Sequence, residues 1–405
     1  MRESDFSANA PGRLEPTTFR ETFWKDGVRE SKDVPGLGFV PEPLPPAGLT
    51  RTQVLDATYE VLVAAERELS RLGGVADQDH LPNPYLLIGP LVQREARLSS
   101  AIENTFASAE QIALFDVDPS AVEGDRDDVR EVHNYVRALH HALSVTRLPL
   151  CTRLITDLHA ILLDGVSRPG VRPGKFRTEQ NAIGKSNSFA EARFVPPPPR
   201  FLDELLRDFE LYANTKDDGL PRLVRFAILH YQFETIHPFA DGNGRLGRLL
   251  IPMQVCQTGQ LAQPYLYISG YFEKHRDQYC DLLYRVSTRG DWLAWISFFL
   301  EAVATQADDA YQRSKQLIAL QRRYRNDIAS RRRSNVDAAI LEHLFASPSI
   351  TIGKAAEIAG VTQQAAGAAI RHLEDSGVLV EVTGRERSRV YIAREIIGII
   401  NSDTP

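Results

Sequence analysis

Apolar residues recur at helical spacing over most of the chain. Val54, Leu55, Tyr59, Leu62, Val63 and Leu69 carry the pattern from Thr52 to about Leu72. It continues through 89–117, 125–146, 150–164, 200–214, 221–235, 244–258, 273–287 and 291–306. Two stretches break it. Residues 1–50 are rich in Pro and Gly and end in FVPEPLPPAGL, which predicts an extended arm along the surface of the body. In RPGKFRTEQNAIGKSNSFAEARFVPPPP (172–199), Gly and Asn clusters separate two β-prone pieces, Gln180–Ile183 and Arg193–Val195. This predicts an exposed hairpin in an otherwise helical domain, and the four prolines then lead into the next helix.

Residues 305–333 predict a long polar helix with RRYR and RRR runs, read as a solvated connector rather than a nucleic-acid contact. From Asn335 the order changes to helix, short strand, helix, a turn at Gly360, helix, and a hairpin turning near Gly384. That order matches a winged helix-turn-helix, with a recognition helix at Gln363–Asp375 behind Thr362 as N-cap. The expected fold class is mainly α: a helical core with a β-hairpin flap, plus a small C-terminal winged helix-turn-helix domain. The expected divisions are 1–80 (N-terminal arm and helix), 81–305 (core), 306–334 (linker helix) and 335–405 (winged domain).

A length of 405 residues exceeds one ordinary domain, and the net charge of -6 excludes a protein built as a whole to bind polyanions. Cys151, Cys256 and Cys280 are widely spaced and form no CxxC pair, so they read as reduced thiols of a cytoplasmic protein. The opening MRESDFSANAPGR lacks the apolar stretch of a signal peptide. WLAWISFFLEAV (292–303) is too short to span a bilayer and reads as a buried helix, so no membrane role is expected.

The chemistry concentrates in HPFADGNGRLGR, residues 237–248. His237 falls where the helix of PRLVRFAILHYQFETI ends, because Pro238 cannot continue it. Asp241-Gly242-Asn243-Gly244 permits a tight turn, and Arg245-Leu246-Gly247-Arg248 starts the next helix. A Gly-rich loop feeding a helix N-terminus directs backbone N–H groups outward, a cradle for phosphate. Two arginines three apart share a helix side and can hold several phosphate oxygens. A lone carboxylate beside a polyphosphate suits magnesium. A histidine at the mouth of such a site is placed to take a proton from an incoming hydroxyl. Phe239 reads as an anchor pinning the loop to the core.

HPFADGNGRLGR resembles the signature of the Fic (filamentation induced by cAMP) family, HPFx[D/E]GN[G/K]RxxR, at every defined position. The resemblance covers roughly 80–305 and makes that segment a catalytic core. It implies transfer of AMP from ATP to a Ser, Thr or Tyr hydroxyl of a target protein or of the chain itself, with release of pyrophosphate. His237 is then the general base and Asp241 the Mg2+ ligand. Gly242, Asn243 and Gly244 form the anion hole, Arg245 and Arg248 hold the outer phosphates, and Leu246 and Gly247 complete the nucleotide-binding turn. The family's kinase-like branch has lysine where this chain has Gly244, which favours nucleotide transfer over phosphorylation.

Upstream, Ser99-x-x-x-Glu103-Asn104 resembles the family's inhibitory motif, [S/T]xxxE[G/N]. Ser99 and Glu103 are four apart, and Glu103 is expected to pair with Arg248 where the γ-phosphate belongs. Ser100-x-x-Glu103 fits a capping box equally well. In the family the flap pairs with target backbone by β-augmentation, which selects Gln180, Asn181, Ala182 and Ile183 here. LYISGYFEKHRDQYCDLLYRVSTRGDW (266–292) resembles the nucleoside-pocket segment, with Tyr279 matching and Cys280 in place of a second tyrosine.

Over 335–405, six Lys/Arg stand against nine Asp/Glu, and only Arg385, Arg387, Arg389, Gln363 and Gln364 form a plausible DNA contact set. Protein interaction or homodimer support is the favoured role of this segment. Two readings compete with an autoinhibited protein adenylyltransferase. One is a DNA-binding transcriptional regulator whose core senses a nucleotide. The other is an enzyme that removes AMP or transfers another nucleotide.

Overall fold

The computed structural model describes residues 3–25, 28–75, 88–122, 126–166, 168, 170–184, 191–330 and 335–402. The expected boundary at 80/81, the RRR run at 331–333 and the predicted hairpin's tip at 185–190 lie outside the described residues.

Two long strands come first, β1 (Gly12–Lys25) and β2 (Val28–Pro41). Helices follow: α1 (Arg51–Gly73), α2 (Ile88–Ile102), α3 (Ala109–Val117), α4 (Arg126–Ser144) and α5 (Thr152–Leu162). A short hairpin, β3 (Ile183–Gly184) and β4 (Ala192–Phe194), precedes α6 (Leu202–Ala213), α7 (Arg222–Ile236) and α8 (Asn243–Gln257). Next come α9 (Ser269–Lys274), α10 (Arg276–Arg289) and α11 (Trp292–Ser330). The chain closes with α12 (Asn335–Ala346), β5 (Ser349–Thr351), α13 (Ile352–Ala359), α14 (Gln363–Asp375), β6 (Val380–Glu381), β7 (Val390–Ile392) and α15 (Arg394–Asn401). Contacts divide it into two compact units: 1–65, 144–254 and 274–303 form the first; 66–143, 255–273 and 304–405 form the second.

In the first unit, α7 is buried around almost its whole circumference, as expected of a central helix. Trp295 donates its Nε1–H to the Ala227 carbonyl at 2.9 Å, and Tyr231 meets Trp292 edge-on. The N-terminal segment is no loose arm. β1 and β2 pair antiparallel along their full length, from Gly12 opposite Pro41 to Lys25 opposite Val28. Pro16 and Pro35 are tolerated within these strands because every strand of a two-stranded ribbon has an outer edge needing no N–H. At the ribbon's base, Phe39 is fully buried between Phe6 and Phe194. Its N–H donates to Val195 at 2.9 Å, which binds the ribbon to the flap. The flap is shorter than predicted, with Ile183 opposite Phe194.

In the second unit, the predicted helix 89–117 is broken. α2 ends in a Schellman cap: Thr105 N–H reaches back to Ser100 O at 3.1 Å and Asn104 N–H to Ala101 O at 3.0 Å. Asn104 sits at φ 61, the left-handed position that admits Gly or Asn. Ser100 therefore lies in a last turn, not a first, which overturns the capping-box alternative; the box is at Ser108 and Gln111, opening α3. A single helix, α11, covers both the expected core helix and the expected linker, with no break at 306.

The six elements from α12 to β7 follow the predicted order, with Thr362 capping α14 and Gly360 closing α13 in the left-handed region, and α15 is an addition to it. Their sheet has the order β5-β7-β6. This segment packs on α2 and α3: a Cβ at Gly89 would meet Ala346 O at 2.2 Å, and Arg385 donates to Asp118 at 2.6 Å. Arg313 holds Asp309 and the carbonyls of Ile399, Ile400 and Ser402 at the end of α15.

Candidate functional site

His237 is the C-cap of α7 and takes the left-handed conformation, φ 48 and ψ 60. For a non-glycine residue this costs about 1–2 kcal/mol, so the surroundings must enforce it. Its Nδ1 lies 3.2 Å from the Glu234 carbonyl. A carbonyl can only accept, so Nδ1 carries the proton and Nε2 is left as a base.

The loop beyond is braced from inside. Asn243 accepts from Phe239 N–H at 2.8 Å and donates to Phe239 O at 2.9 Å. Phe239 is fully buried and stacks on His159 with ring centroids 3.7 Å apart. Phe176 lies against its other side, and Asn181 donates to its carbonyl at 3.1 Å. His159 accepts from Gly174 N–H at 2.9 Å through Nδ1 and donates to Asp241 O at 3.0 Å through Nε2. Burial pushes His159 down to about 4, so the ring is neutral.

Asp241 takes a hydrogen bond from Gly242 N–H at 2.6 Å and ion-pairs with Arg168; Arg245 stands 3.7 Å away. Burial alone would raise its pKa, but the charges of Arg245 and Arg168 hold it below the ordinary carboxylate value. Among the described residues no cluster of three or more His, Cys, Asp or Glu could hold a metal. One ionised carboxylate beside two arginines has the chemistry to take a magnesium ion, which needs only one or two protein ligands when the rest of its shell is water or phosphate.

Arg245 and Arg248 are each 1% exposed on α8. Guanidiniums so far from water require oxygens around them. α8 approaches α7 closely: a Cβ on Gly247 would meet Glu234 Oε1 at 2.4 Å and Phe233 at 3.1 Å. Buried His230 is pushed down to about 3 by burial and by the charge of Arg248. It bonds the Tyr279 hydroxyl at 2.8 Å, in a cluster with Trp295 and Phe299.

The same contacts show what several of the expected site residues do in the fold. The Asn243 side chain is spent on the loop, and the Gly242 N–H on Asp241. Leu246 is core, and Gly247 serves the close approach of two helices. Tyr279 is 3% exposed with its hydroxyl turned inward. Gln180 binds Thr17 and Pro196 O, and Asn181 binds Phe239 O; both anchor the flap. In the second unit, Ser99 is fully buried and Glu103, just past α2, is exposed.

Sequence reasoning missed His159, Arg168, Arg177 and His230, which are scattered over 72 positions with no motif of their own. Gly-Lys-Phe-Arg177 beside an Asn-rich stretch was the nearest signal. The two histidines have a consequence for stability. Both bind a proton less readily folded than unfolded, so the unfolded chain takes it up first. Stability is complete above the unfolded value near 6.5 and falls with pH toward 4, by about 1.4 kcal/mol per pH unit for each histidine. Thermal melts between pH 7 and 4 should show this slope, and His159→Gln should roughly halve it.

Two family models match the chain: the Fic/DOC family N-terminal model over 59–144 and the Fic/DOC family model over 149–254. A protein adenylyltransferase Fic from Aedes aegypti is 29% identical over 213 residues, 51% of this chain and 38% of that protein. Protein adenylyltransferase fic-1 from Caenorhabditis briggsae is 32% identical over 141 residues, 32% of this chain and 25% of that protein. The chain thus matches well under half the length of these relatives. A crystal structure of a Fic family protein from Desulfovibrio desulfuricans G20 superposes with TM-score 0.54 at 20% identity, covering 86% of this chain and 98% of that one. Among the described residues no helix is long and apolar enough to cross a membrane.

Proposed function

Because the chain belongs to the Fic/DOC family, we propose that it transfers AMP from ATP to a Ser, Thr or Tyr hydroxyl of a protein. The observation that carries this reading is the contact of His237 Nδ1 with Glu234 O at 3.2 Å, from which the proton is assigned to Nδ1 and Nε2 faces the hydroxyl proton as its acceptor. The freed oxygen attacks the α-phosphorus, the bond to the β-phosphate oxygen breaks, and pyrophosphate leaves. N–H groups at the start of α8 and the guanidiniums of Arg245 and Arg248 neutralise the phosphates. Asp241 would hold the Mg2+ that accompanies ATP, whose charge offsets that of the phosphates. The flap offers its β3 side to target backbone, since the β4 side is bound to β2.

Glu103 is the proposed brake, on the strength of the Ser99–Asn104 motif. The Schellman cap gives that motif's final Asn a physical reason and sets Glu103 at a fixed helix terminus. The C-terminal segment reads as a winged helix-turn-helix serving protein contact. Arg385, one of three wing arginines, is spent on Asp118, which weakens the DNA reading further.

Incubation with α-labelled or γ-labelled ATP tests the reaction. Wild type should label itself or an added protein weakly, and Glu103→Gly at least about tenfold more, with the α-label alone retained. Retention of the γ-label would assign phosphate transfer. Equal labelling by the two proteins would remove the brake.

A further inference from the structure

Arg177 is 6% exposed, and its partners are unusual for a buried cation. Nε donates to His237 O at 2.8 Å, Nη2 to Pro197 O at 2.6 Å and Ile236 O at 3.4 Å, and Nη1 to Glu179 O at 3.4 Å. Its own backbone N–H donates to Pro238 O at 2.9 Å. All of these acceptors are backbone carbonyls. A buried arginine ordinarily pairs with a carboxylate, so this one is placed for the geometry of a fork rather than for an ion pair.

The carbonyls come from two places. Glu179 and Pro197 are the two feet of the flap, and Ile236 and His237 are the last residues of α7, where a helix leaves its carbonyls unsatisfied. A cation there also complements the helix dipole. One guanidinium thus joins the flap to the peptide of the proposed base. That peptide is the strained one: His237 stands in the left-handed region, and its carbonyl direction is fixed by the Nε bond of Arg177.

We propose that Arg177 is a positioning residue for catalysis, holding the His237 peptide so that Nδ1–H faces Glu234 O and Nε2 faces the site, and tying that orientation to the flap. This rests on the reading of His237 as base. Lysine keeps the charge and most of the bulk but cannot reach four carbonyls. Arg177→Lys should therefore bind ATP with KM within about threefold of wild type while kcat falls about 100-fold, the cost of a misplaced catalytic group.

A second readout needs no turnover. In the full chain labelled with 15N-histidine, the His237 signal, assigned by its loss in His237→Ala, should show one Nδ1–H tautomer in wild type and a mixture in Arg177→Lys. A wild-type kcat, or an unchanged tautomer in the variant, overturns the proposal. So does loss of kcat, ATP binding and melting temperature together, or failure of both Arg177→Lys and Arg177→Ala to fold, since Arg177 would then serve stability alone. If no form of the chain transfers AMP, the reaction reading fails, and the tautomer spectrum still decides what Arg177 does.

Discussion

Replacing His237 should lower AMP transfer by about 10²–10⁴-fold, the usual contribution of a positioned general base, while ATP binding persists. The choice of replacement matters. His237 stands at φ 48, a conformation whose cost of about 1–2 kcal/mol falls on any residue with a Cβ, so His237→Ala keeps the strain the histidine already bears and removes the base. Asparagine visits the left-handed region more readily and has no base. His237→Asn should thus lose as much activity as His237→Ala while melting no lower than it. Nucleotide titration should give both variants a wild-type ATP affinity, because the groups proposed to hold the phosphates lie on the α8 side of the loop. Wild-type turnover by His237→Asn would remove the base assignment.

Phe239→Ala should be the costliest change in the first unit, destabilising it by about 3–5 kcal/mol. The ring is fully buried between His159 and Phe176. Its removal leaves a cavity under a loop whose backbone is braced by Asn243 and Asn181. His159 would lose its stacking partner while still carrying the bond to Asp241 O, so the Asp241 carboxylate should lose its fixed position too. Calorimetric melting should register the stability loss, and transfer activity should fall even where the variant remains folded. A melting temperature within a few degrees of wild type would mean that the loop holds itself without the anchor.

The site was legible where one short segment carries both the turn and the chemistry. His237 before Pro238, the glycines of the loop and the arginines of α8 stand in twelve consecutive positions, and the structure sets them at one helix-loop-helix corner. Thr362 and Gly360 were equally plain, because caps are local. What escaped were properties set by distant partners. The Pro- and Gly-rich composition of 1–50 gave an extended arm but not its pairing into a ribbon, whose free edges accommodate Pro16 and Pro35. The stop at Asn104 lay hidden in an apolar periodicity that continues past it into α3. Arg177 and His159 look like a solvated cation and a core histidine; only the folded chain brings them to the backbone of the loop. The motif could not show that the Asn243 side chain braces the loop by bonding both the N–H and the carbonyl of Phe239.

The central claim is that a nucleotide's phosphates seat where the 237–248 loop becomes α8, facing the His237 imidazole. A crystal structure of Glu103→Gly with ATP and magnesium tests it most directly. The expected result has the α- and β-phosphate oxygens within hydrogen-bond reach of the first N–H groups of α8, the outer phosphates on Arg245 and Arg248, and Nε2 of His237 turned toward the α-phosphorus. Nucleotide bound elsewhere, or phosphates at the loop with His237 turned away, would contradict it.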